Sequence, residues 1–199
     1  MLKKCVLAIA LALLATSVVR AEPQTYQLDQ AHSSVGFCVR HMAISKVCGK
    51  FNEFEGSFTV DPKDSSSWSC QAIIQTASID TDNQKRDEHL RSVDFFQADS
   101  FPTITFNSTK IEPRGDGKFD VHGNLTIRGT TKPVTLEGEF VGKVNDPWGN
   151  ERMGFTLSGE INRMDYGVSW DNVLETGGLV VSHNVDLNID AQGVRKTGE

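Results

Sequence analysis

Apolar and polar residues alternate with a period of two along most of this chain, the pattern of strands buried on one face. Val35, Phe37 and Val39 mark the apolar side of a run from Tyr26 to Arg40. A second run, Val47 to Val60, carries Gly49, Phe51, Phe54 and Phe58, and a third spans Trp68 to Ile79. The pattern resumes at Thr103 to Ile111 with Ile104 and Phe106, then at Lys118 to Ile127 with Phe119, Val121 and Leu125. Val134 to Val144, Met153 to Ile161 with Phe155, and Leu179 to Ile189 complete a set of eight. Turn residues separate the runs: Asp61-Pro62, Pro113 to Gly117, Arg128 to Thr131 and Asn145 to Gly149. Gln192 to Glu199 reads as a frayed tail.

One stretch breaks the alternation. Asn83 to Pro102, NQKRDEHLRSVDFFQADSFP, is charged and reads as helix. Thr81 and Gln84 have the spacing of a capping box, and Asp87 and Arg91 stand four apart, where they can pair on the surface. Leu90 and Val93 are too small a stripe to hold a free helix in water, so Phe95, Phe96 and Phe101 must dock it.

Eight sequential antiparallel strands with short turns predict an all-β, up-and-down barrel with one short helix inserted between strands 3 and 4, since closure removes exposed edges. A two-sheet sandwich is the alternative. A barrel of eight strands is filled by its own side chains or holds one small ligand. The expected inward residues are Phe37, Val39, Phe51, Phe58, Ile104, Phe106, Phe119 and Phe155. Both readings of that aromatic lining stay open.

The N-terminus changes the compartment. Lys3 and Lys4 precede an apolar run from Cys5 to Val19, and Ala21 offers a small residue before Glu22, so residues 1–21 read as a cleaved secretory signal and 22–199 as the mature domain. Cleavage removes Lys3, Lys4 and Arg20 from a chain of formal net charge −6. The more acidic product disfavours nucleic acid and anionic membrane surfaces as partners. Of the 4 cysteines, Cys5 leaves with the signal. Cys38 and Cys48 lie symmetrically about a turn near Ala43, on the side opposite the valines and phenylalanines, and are the candidates for a disulfide; Cys70 is left over. With no C-x-x-C or H-x-x-x-H, no metal site is expected.

Few polar residues gather into chemistry. Arg86 and His89 lie one helical turn apart and suit a phosphate or a quinone oxygen at a barrel mouth, and His41 ends the first strand on the apolar side. Arg163 and Asp165 read as an ion pair at a strand end. Ser33 and Ser34 follow His32 directly, but neighbours on a strand face opposite ways, so no triad is built from them.

The segments HSSVGFCVRHM (32–42), VCGKFNEFEGSF (47–58), ASIDT (77–81), RDEHLRSVDFF (86–96), FPTITFNST (101–109), GNLTIRGTTKPVTL (123–136), DPWGNERMGF (146–155) and INRMDYG (161–167) together resemble the YceI-like, polyisoprenoid-binding proteins of bacterial periplasms. The resemblance implies a lipocalin-like barrel with the helix near its mouth. It also implies a periplasmic, non-enzymatic carrier with a long-chain isoprenoid amphiphile, of quinone or polyprenyl phosphate type, in the bore and no other cofactor. His41, Arg86 and His89 are then head-group candidates. Each isoprene unit buried is worth about 3 kcal/mol gross, and immobilising the tail opposes much of that, so micromolar to nanomolar binding is expected. Stable membrane insertion is not expected, and a homodimer remains open. Two other readings stand beside this one: an enzyme acting on the same lipid class with Arg86, His89 and His41 as its acid/base set, and a redox-responsive lipid-binding protein. The latter would use Cys38 and Cys48, which lie outside the family's pattern.

Overall fold

A computed structural model describes residues 22–61, 63–172 and 179–195; the expected leader and the last four residues lie outside these. The alternation does produce eight staves, three of them bent. The first is β1 (Gln24–Leu28) and β2 (Ser34–His41), divided by a short 3-10 turn that the Asp29 carboxylate caps by accepting from Ala31 N. The second is β3 (Ser45–Phe51) and β4 (Phe54–Val60), and the third β5 (Ser69–Gln75) and β6 (Ile79–Asp80). Helix α1 (Gln84–Arg91) follows, then β7 (Thr103–Gly115), β8 (Lys118–Ile127), β9 (Thr130–Asn145), β10 (Glu151–Asn162) and β11 (Val181–Arg195).

Every pairing is antiparallel, and consecutive staves are neighbours. The long β11 closes the ring because β1 and β2 share it. β2 takes its first part, from Val181↔His41 to Asp190↔Ser34, and β1 takes its end through Leu28↔Gly193 and Gln27↔Val194. Closure rules out the sandwich. The bends let each stave follow the coil of a barrel that a straight strand would leave.

Two boundaries differ from expectation. Pro113 lies within β7, opposite Phe119, and the turn shrinks to Gly115, Asp116 and Gly117, all at positive φ. Proline is tolerated there because the ladder shifts register between Pro113 and Gly115. Gln192 to Arg195, expected as a frayed tail, is strand, since β1 on one side and β10 on the other supply its hydrogen-bond partners.

Inside, several rings lie against glycines, three of them most closely. A Cβ on Gly123 would come within 2.3 Å of Phe106, on Gly138 within 2.2 Å of Phe119, and on Gly193 within 2.4 Å of Phe58. Omitting these side chains makes room for flat rings on the inner wall.

The barrel end opposite α1 is held by charge. Burial acts to raise the Glu151 carboxyl, but hydrogen bonds with Lys143, Tyr26 and Arg195 outweigh it and hold the group at about 2. Asp146 sits at about 2 likewise, burial being outweighed by Arg152, Asn150 and the Trp148 amide. Both folded values lie below the unfolded ones, so the stabilisation is present above about pH 4.5 and is lost as pH falls from there towards 2. The thermal midpoint is therefore expected to drop across that window. Glu151→Gln should lower the neutral midpoint and flatten the acid limb; a parallel shift of the whole curve would rule this cluster out as its cause.

Candidate functional site

The inner faces of the staves enclose a cavity of about 480 Å3 with an almost wholly apolar wall. Phe37, Val39, Phe51, Phe58, Ile104, Phe106, Phe119 and Phe155 all line it. Register explains why: Phe37 stands opposite Gly49 and Val39 opposite Val47, while Cys38, Arg40, Lys46 and Cys48 take the alternate positions on the outside. Rings meet edge to face across the bore, Phe58 and Phe119 each against Phe155, at 5.0 and 5.5 Å. The dry lining therefore neither collapses nor fills the space completely.

His41, Arg86 and His89 line the same cavity, at the end that carries α1. His41 ends β2 between Ser45 and Val181, and its ring has no hydrogen-bond partner among the described residues. Arg86 is engaged. Its Nε donates to Thr81 Oγ1 at 2.7 Å and its Nη2 to Thr81 O at 2.6 Å. His89 Nε2 meets Asp94 Oδ2 at 2.8 Å, with its ring edge-on to Phe95 and Trp170. Arg86 and His89 are thus spent within the helix segment, and of the three His41 alone is without a side-chain partner among the described residues.

The helix is fastened differently from its sequence pattern. Asn83, not Thr81, is the N-cap, accepting from Arg86 N, and the helix ends at Arg91. Thr81 instead donates both its N–H and its hydroxyl to Asp87 Oδ1, at 2.9 and 2.5 Å. Asp87 is consequently buried and makes no pair with Arg91, which donates to the carbonyls of Ala77 and Ile79. Phe95 is core, whereas Val93 is 66% exposed.

Arg163 was expected to pair with Asp165 and does not. It is 5% exposed, borders the cavity, and donates to four carbonyls, those of Ser182, Val168, Trp170 and Val181. Burial pushes this guanidinium below its ordinary value, with the nearby Asp171 charge acting the other way. Trp170, which no periodicity flagged, packs at 5.2 Å on Phe95 and also lines the cavity. Its segment carries no repeat; the only cue for either residue is an arginine just beyond the apolar end of β10.

Cys38 and Cys48, directly opposite in register with Cα atoms 4.0 Å apart, form a disulfide on the outer face. Cys70 borders the bore, and burial pushes its thiol up to about 11 against a hydrogen bond with Ser108, so it is a poor nucleophile. Among the described residues no group of three or more His, Cys, Asp or Glu side chains is gathered to hold a metal ion.

Fold and cavity define a class: a closed antiparallel barrel of eight staves, lipocalin-like, with an apolar bore of ligand size. Within it the YceI-like domain matches residues 26–193, and the chain belongs to that family. A UPF0312 protein of Vibrio vulnificus is 38% identical over 197 residues, 98% of this chain and 100% of that one. The crystal structure of BcnA from Burkholderia cenocepacia superposes with a TM-score of 0.73 at 25% identity, covering 83% of this chain and 98% of BcnA. A polyisoprenoid binding domain from Saccharophagus degradans shares the fold, with a TM-score of 0.62 at 15% identity, covering 87% of this chain and 99% of that domain.

Proposed function

We propose that this protein is an exported, periplasmic carrier that holds the tail of an isoprenoid amphiphile, of quinone or polyprenyl phosphate type, in the barrel bore. The observation that carries the reading is the apolar cavity of about 480 Å3 inside a barrel of the YceI-like family. The polyisoprenoid binding domain built on the same fold supports it, and the leader pattern in 1–21 supports export. We read a binding protein and not an enzyme, because Arg86 and His89 are spent on Thr81 and Asp94 and are not poised as an acid/base set. The polar rim at His41 is where a head group would sit.

The bore of about 480 Å3 is finite, so affinity for polyprenols should climb with chain length, by at most about 3 kcal/mol per isoprene unit, until the bore is full, and gain less with each further unit, which must run out through the mouth. Native mass spectrometry with a ladder of polyprenols measures this, and organic extraction of protein from its own cell identifies the resident lipid. Protein that carries no extractable lipid and binds no polyprenol would sink the proposal.

A further inference from the structure

The β2–β3 hairpin beside the cavity mouth is built from choices that do not favour a stable turn. Ile44 N donates to His41 O, and the two central residues are both left-handed, Met42 at φ 51 and Ala43 at φ 61. Such a turn favours Asn-Gly, because a Cβ crowds the backbone there. The other left-handed hairpin turns of this barrel do use glycine, at Gly129 and at Gly115 and Gly117. Here the residues are apolar and face water: Ile44 is 84% exposed and Met42 38%.

Below the tip, Arg40 stands directly opposite Lys46 on the outer face, a like-charge pair that a strand ladder disfavours. Lys50 follows on the same face beyond Cys48, and Lys46 reaches Asp186 at 2.8 Å. The disulfide clamps the hairpin at Cys38 and Cys48. β2 is paired with β11 up to His41, but on its other side β3 meets β6 at Lys50 and Phe51, so among the described residues the outer edge of β3 has no strand partner from Ser45 to Cys48. The tip joins the cavity wall, since Met42 N donates to Val180 O, and Val180 and His41 both line the bore.

We propose that this hairpin is a membrane-docking finger. Met42, Ala43 and Ile44 enter the acyl region of a bilayer while Arg40 and Lys46 meet head-group phosphates, which sets the mouth against the leaflet. A short apolar tip with a basic collar gives weak, reversible attachment. The chain's net negative charge repels the rest of the barrel from the same surface, so it orients the contact. That the leaflet supplies the ligand rests on the isoprenoid-binding reading; the docking does not.

The test is co-sedimentation with sucrose-loaded vesicles of phosphatidylcholine containing a minor fraction of phosphatidylglycerol. Wild type is expected to sediment. Met42→Asn with Ala43→Gly and Ile44→Thr should lower the partition coefficient by about tenfold or more. Arg40→Gln and Lys46→Gln should each lower it by about fivefold at low salt and less at high salt. Because Asn-Gly suits the turn, the thermal midpoint of the tip variant should equal or exceed that of wild type. Farnesol binding in the absence of vesicles should be unchanged, so a protein that sediments through its tip but binds no farnesol upholds docking and defeats only the ligand reading. Wild type left in the supernatant, as a finger made for a protein partner would be, overturns the proposal. So does a tip variant that sediments as well as wild type.

Discussion

Arg163→Ala is expected to lower the unfolding free energy by about 3–5 kcal/mol, the largest single effect anticipated for this chain. In a domain of this size that moves the thermal midpoint by on the order of 10 °C. The guanidinium donates at 2.7 to 3.2 Å to carbonyls from both sides of the segment between β10 and β11: Val168 and Trp170 on one, Val181 and Ser182 on the other. Removing it takes the guanidinium donor from the buried Val168 carbonyl and the part-buried carbonyls of Trp170, Val181 and Ser182, and leaves a void where the side chain stood. Arg163→Lys should recover little, since an ammonium lacks the planar fork that spans both pairs. Unfolding in urea followed by circular dichroism gives the number. A loss under about 1 kcal/mol would mean that water enters and satisfies the carbonyls. The same bonds hold Trp170 against Phe95, so the variant should also loosen the mouth of the bore.

Much of this fold is legible in the sequence. Period-two alternation names which residues share a face, and eight such runs in sequence favour closure over a two-sheet sandwich, which makes the shared face the inside. That is why Phe37, Phe106 and Phe155 were placed by pattern alone. The bend of the third stave was not legible, because Trp68 to Ile79 reads as one run, whereas the backbone turns at Thr76–Ser78. Polar side chains whose partners come from elsewhere in the chain gave no signal either. Arg163 looks like any strand-end cation until Val168 and Val181 surround it. Asp87 has the spacing of a surface pair with Arg91, yet its partner is Thr81, and only the packing of the helix against β6 decides between them. Pattern reports burial of faces; it does not report who satisfies a buried polar atom.

Asp87→Ala is the variant expected to separate holding the barrel together from holding its mouth shut. Asp87 is 6% exposed, and a single oxygen, Oδ1, accepts both donors of Thr81. Arg86 in turn donates to both oxygens of Thr81, so one threonine at the end of β6 carries the first turn of α1. Alanine at 87 leaves two buried donors unsatisfied, for an expected cost of about 2–4 kcal/mol. The rest of the barrel keeps its ladders, so most of that loss should fall on the helix and its aromatic tail and not on the staves. A mouth weakened by about 1.4 kcal/mol opens tenfold more often, and the dissociation rate of a bound polyprenol should rise at least that much. Asp87→Asn, which keeps one acceptor, should fall between the two. Hydrogen exchange resolved by segment, together with stopped-flow release of farnesol, distinguishes the cases. Faster exchange confined to 81–101 with faster release makes the helix a lid, whereas uniform exchange with unchanged release makes Asp87 an ordinary structural carboxylate.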